Sequence, residues 1–132
     1  MITTMIPIIF GMLGLACAWY IYLAVKRFPA GEGKVTEIAA AIHLGAMVFM
    51  RREYTILAIF VTVVAFALFV SLGSHTMIAF LVGAACSAMA GYFGMFAATK
   101  ANVRTAVAAQ HEGAGTALTI AFFGGSVMGL TV

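Results

Sequence analysis

The sequence predicts an all-α protein: a polytopic transmembrane helix bundle of three full spans and most of a fourth. Three observations lead there. First, 64% of residues are hydrophobic, only 8% are charged, and the mean hydropathy is +1.13; soluble domains run near ~45–50% apolar and ~25% charged. Second, the run from Tyr54 to Thr99 contains no Asp, Glu, Lys or Arg. As one helix it would be roughly 70 Å long, more than twice a ~30 Å hydrocarbon core, so it folds back at its weakest point, Ser71–Thr76. Third, two more uncharged stretches, Met1–Val25 and Gly115–Val132, flank that hairpin. A charged side chain costs roughly 3 kcal/mol at a bilayer centre, so such stretches select lipid over water.

Residues 1–25 form the first span. They lack the basic start and small-residue cleavage site of a signal peptide. Pro7 lies near the N-terminus of that helix, Trp19, Tyr20 and Tyr22 fall toward the far interface, and Lys26 and Arg27 end it. Residues 26–35 are a loop, because Pro29, Gly31 and Gly33 break the helix. A helix restarts at Thr36, a candidate N-cap with Glu37 in the first turn. It covers 36–53, with Ile38, Ile42, Gly45 and Phe49 on one apolar face, and runs without a break into span two at 54–70. Residues 71–76 turn the chain, 77–99 form span three, 100–114 a loop, and 115–132 the fourth span. That span stops without flanking charge, aromatic anchor or polar tail, as a chain cut short would.

All seven basic residues lie on one side of these spans: Lys26, Arg27, Lys34, Arg51 and Arg52 between spans one and two, Lys100 and Arg104 after span three. The bias of Lys and Arg toward the cytoplasm puts the loops 26–35 and 100–114 and the helix 36–53 there, with the N-terminus and the turn 71–76 outside. The net charge of +3 and pI near 9.1 therefore address anionic lipid headgroups, and no nucleic acid is expected as a partner.

The side chains that carry chemistry are few. His43, His75 and His111 fall on the amphipathic helix, the outer turn and the second loop, so the three do not share a site, and each reads as an interfacial or solvated side chain. Cys17 and Cys86 read as small packing residues. Arg51, Arg52, Glu53 and Tyr54 read as an anchor at the mouth of a span; Lys100 and Arg104, around Asn102, either hold an anion or stop span three. There is no Asp, and Glu32, Glu37, Glu53 and Glu112 all lie outside the spans. An ion path or a magnesium-dependent phosphoryl site needs clustered polar or acidic groups, so no residue here is assigned a catalytic, cofactor-binding or metal-binding role. Small residues recur at Gly11 and Gly14, Ala84 and Ala88, Gly91 and Gly94, and Gly124, Gly125 and Gly129, where helices pack closely in lipid.

Three blocks in order resemble the membrane-bound, ion-translocating pyrophosphatases. Gly91-Tyr92-Phe93-Gly94-Met95-Phe96-Ala97-Ala98-Thr99-Lys100-Ala101-Asn102-Val103-Arg104-Thr105-Ala106 resembles that family's third helix. Gly45 to Tyr54, with its Arg52-Glu53-Tyr54, resembles the approach to its second helix, and Ala121 to Leu130 its fourth. The resemblance implies a homodimer of many-helix subunits that hydrolyses pyrophosphate with magnesium in the cytoplasm and moves protons or sodium ions outward across a bacterial or archaeal inner membrane. It places the catalytic motifs and gate on later helices, so this chain is expected to be the outer-ring N-terminal portion, packed against the remaining helices of the subunit. The form of Ala98–Thr105 and Gly124–Gly129 resembles the potassium-stimulated branch. The alternative is a small four-helix membrane protein, a structural or channel subunit without enzymatic activity.

Overall fold

The computed structural model describes residues 2–132, with side chains from Met5 onward. Four helices follow one another: α1 (Ile2–Lys26), α2 (Lys34–Leu72), α3 (Ser74–His111) and α4 (Ala114–Thr131). All four are long and apolar enough to cross a membrane, and the chain is an integral membrane protein. The expected start of span one at Met1 lies outside the described residues. The helix from Ile2 carries Pro7 in its interior, where the ring removes one backbone donor near the N-terminal end.

The connections are shorter than the sequence suggests. In place of a turn over 71–76, Gly73 alone joins α2 to α3, at φ 86° and ψ 178°. A side chain at that φ would clash with its own backbone, so glycine is what allows two long helices to reverse in one residue. In place of a loop over 100–114, α3 continues to His111 and only Glu112 and Gly113 separate it from α4. Lys100 and Arg104 therefore do not end the helix. They lie on an α3 extension that stands beside the N-terminal half of α2. At 1.5 Å per residue, α2 is about 58 Å long and α3 about 57 Å, so both project well beyond a ~30 Å apolar core. The start of α2 also differs: Gly33 precedes the first helical residue, and Thr36 caps nothing but donates its hydroxyl to the Gly33 carbonyl at 2.6 Å.

Packing is organised around α3. It touches α1, α2 and α4; α1 also packs on α4, whereas among the described residues α2 touches α3 alone. The α3–α4 seam is antiparallel and made of small residues: Gly94 faces Met128, Gly124 faces Ala101, and Ala108 lies in one buried cluster with Ala117, Ile120, Ala101 and Val25. Phe28, just after α1, closes that cluster. Lipid tails are as apolar as leucine, so helix association here rests on van der Waals contact between closely spaced backbones. Most large apolar side chains accordingly point outward, including Phe10, Trp19, Phe60, Phe66 and Phe122.

Two sequence-based packing expectations change. Of the fourth-helix glycines, Gly124 is the one in contact, while added side chains at Gly125 and Gly129 would meet nothing. On α2 the face Ile38, Ile42, Gly45 and Phe49 is exposed; the buried side is Ala39, His43, Met47 and Met50. The inward face is the one that meets α3, where His43 reaches Thr99. Cys17 and Cys86 are also exposed, contrary to their reading as packing residues.

Gly124→Ala should therefore lower stability by about 1–3 kcal/mol, because its new Cβ overlaps Ala101. Gly125→Ala, pointing into open space, should stay within about 0.5 kcal/mol of the parent. Unfolding by SDS in mixed micelles reads both.

Candidate functional site

Lys26, Arg27, Lys34, Lys100 and Arg104 lie toward the end of the bundle where α1 and α3 end and α2 and α4 begin, and Arg51 and Arg52 lie halfway along α2. The antiparallel pairing of α2 with α3 brings distant residues together there in a constant register. Tyr54 meets Ala88, and eleven residues earlier on α2 His43 meets Thr99, eleven residues later on α3. Three polar contacts follow from the geometry.

The first is His43 with Thr99. Nδ1 of His43 lies 2.8 Å from Oγ1 of Thr99, which also lies 3.0 Å from the Phe96 carbonyl. A hydroxyl has one hydrogen, so Thr99 donates to that carbonyl and accepts from a protonated Nδ1. Thr99 is the one buried polar side chain among the described residues, at 7% exposure. The Phe96 ring meets the imidazole edge-on, with centroids 5.3 Å apart. His43 is thus a part-buried tie between two helices, a correction to its reading as an interfacial or solvated side chain. His75 and His111 are exposed, as expected, and remain apart from it.

The second contact is the Tyr54 hydroxyl, which donates to the Ala88 carbonyl at 2.6 Å, across a notch kept open by Gly91. Tyr54 is therefore an interhelical bond as well as the mouth of a span, while its neighbours Arg51, Arg52 and Glu53 stay exposed. The third is Arg104. Its Nε donates to the Phe28 carbonyl at 3.1 Å and its Nη1 to the Lys100 carbonyl at 2.8 Å. The first of these bonds ties the α1–α2 connection to α3 and satisfies a carbonyl just past the C-terminus of α1.

Between α2 and α3 at this end lies a cleft of about 480 Å³, walled by Leu44 and Met47 on α2 and bordered by His43, Lys100 and Arg104. Sequence reasoning names Lys100 and Arg104 but misses Thr99 and Phe28. An uncharged threonine at the end of an apolar run carries no signal of its own, and a backbone carbonyl carries none at all.

The magnesium implied by the resemblance does not fit these residues. Among the described residues no three His, Cys, Asp or Glu side chains converge as metal ligands. Glu32, Glu37, Glu53 and Glu112 are all exposed.

A double-mutant cycle with His43→Ala and Thr99→Val should return a coupling of about 0.6 kcal/mol, with about 1.7 as the ceiling for bonds between membrane helices. Additive SDS unfolding energies would show that the contact contributes nothing.

Comparison with known proteins gives one consistent result. The family model for inorganic H+ pyrophosphatase matches residues 12–132. A Clostridium tetani protein provisionally named a K(+)-stimulated pyrophosphate-energized sodium pump is 46% identical over 91% of this chain. A K(+)-insensitive pyrophosphate-energized proton pump of Moorella thermoacetica is 42% identical over 92% of it, and a K(+)-stimulated pyrophosphate-energized sodium pump of Thermotoga maritima 42% over 97%. The chain spans about 18%, 18% and 17% of the length of these relatives. With a family match across nearly all of its bundle, this chain belongs to the inorganic H+ pyrophosphatase family.

Proposed function

We propose that this chain forms the N-terminal, outer-ring part of a membrane pump that couples pyrophosphate hydrolysis to outward ion transport. The observation that carries the reading is identity of 46% and 42% over nine-tenths or more of the chain to proteins named as pyrophosphate-energized pumps. The small-residue seam and the absence of converging metal ligands among the described residues favour a scaffold role for these four helices. Chemistry, and the magnesium that serves it, then belong to other helices of the subunit, against which the exposed apolar faces of α2 and α4 pack.

The clustering of Lys and Arg at one end supports a cytoplasmic position for that end and an N-terminus outside. A homodimer in the inner membrane of a bacterial or archaeal cell is part of the same proposal. The relatives include both sodium and proton pumps at similar identity. The form of Ala98–Thr105 favours potassium stimulation, as in the name of the Clostridium tetani relative.

The complete subunit carrying this chain, reconstituted in vesicles, should hydrolyse pyrophosphate and accumulate sodium ions or protons in the lumen. Potassium should raise the rate several-fold over a choline control. Hydrolysis without ion accumulation would refute the pump, and a rate indifferent to potassium would refute the branch alone.

A further inference from the structure

We propose that the cleft between the basic ends of α2 and α3 binds a phosphate-bearing anion, through Lys100 and Arg104. Its walls have the composition such a ligand requires. Lys100, Arg104 and His43 border it and no carboxylate does, so its positive charge has no counterpart in the lining.

The donors are also available and partly pre-positioned. Arg104 spends two of its five N–H groups on the Phe28 and Lys100 carbonyls. Those two bonds hold the guanidinium plane in place and leave three N–H groups for a ligand, a fork that matches phosphate oxygens. The Lys100 ammonium rests over the Phe96 ring, 5.8 Å from its centroid, and all three of its donors remain. Thr99 occupies Nδ1 of His43, and Nε2 of that tautomer is an acceptor, so the donors to an anion are those of Lys100 and Arg104. A cation over an aromatic face is held weakly enough to turn toward an anion.

Position strengthens the reading. Lys100 directly follows the uncharged run that ends at Thr99. The cleft thus lies where the apolar core gives way to headgroups, a level populated by phosphate esters. Leu44 and Met47 add an apolar wall beside the charged border, as an amphipathic ligand would need. Two sources share this chemistry: the phosphate of an anionic lipid headgroup, and free phosphate from solution.

The test uses the complete subunit and reads Lys100 alone, so that phosphate bound elsewhere does not interfere. Acetylation of the Lys100 amine is followed by mass spectrometry in phosphatidylcholine bilayers, with phosphatidylglycerol added, or with inorganic phosphate added. Lys34 lies outside the cleft and serves as the internal reference. Slowing of Lys100 labelling by about tenfold relative to Lys34 is the expected result, on the scale of a charge-assisted hydrogen bond. Protection by phosphatidylglycerol alone identifies the lipid; protection by phosphate in plain phosphatidylcholine identifies the free anion. In a parallel measurement, Lys100→Gln should lower retention of phosphatidylglycerol in native mass spectrometry and Lys100→Arg should restore it. Labelling of Lys100 that neither additive slows overturns the site, whatever the variants do.

Discussion

Close approach of backbones along α3 is the constraint on which the rest of this bundle depends. In water, four apolar helices would be driven together by burial of their large side chains. In lipid that drive is absent, and contact forms only where side chains are small enough for dispersion to act between neighbouring helices. Gly94, Ala97, Ala101 and Ala108 make α3 such a surface, and α4 answers with Ala117 and Gly124. The large residues are left to face outward. Among the described residues the largest fully buried side chains are Ile120 and Val25.

The basic end adds polar contacts where packing alone would leave the helices free to slide. His43 with Thr99 and Tyr54 with Ala88 set the register of α2 on α3, and Arg104 sets the α1–α2 connection on the same helix. Each bond joins residues far apart in the chain. A shift of α2 along α3 by one turn would break the first two together. The register is therefore specified twice, about three helical turns apart on each helix.

This arrangement suits the scaffold role proposed for these four helices. A rigid scaffold needs a dense seam, satisfied polar groups and outward apolar faces, and the bundle has these. The convergent acidic ligands that pyrophosphate chemistry requires are absent among the described residues. The basic cleft is compatible with that division of labour, because a bound phosphate ester at headgroup depth would anchor the scaffold against the membrane.

The sequence by itself determined the membrane class, the helical content and the number of helices. Hydropathy averaged over some twenty residues is a one-dimensional quantity, and the bilayer imposes helices on any such stretch through its lack of hydrogen-bonding partners. The family was legible too, in the block from Gly91 to Ala106. Tertiary structure alone decided which faces meet. Gly124 packs and Gly125 does not, Ala39 and His43 turn inward while Ile38 and Ile42 turn out, and Lys100 and Arg104 ride on a continuing helix instead of ending one. Those choices depend on the register and crossing of helix pairs, set by contacts between residues as distant as His43 and Thr99. No window along the chain contains both partners, and the physical reason they meet, a single glycine at position 73 reversing two long helices, appears only when both are folded.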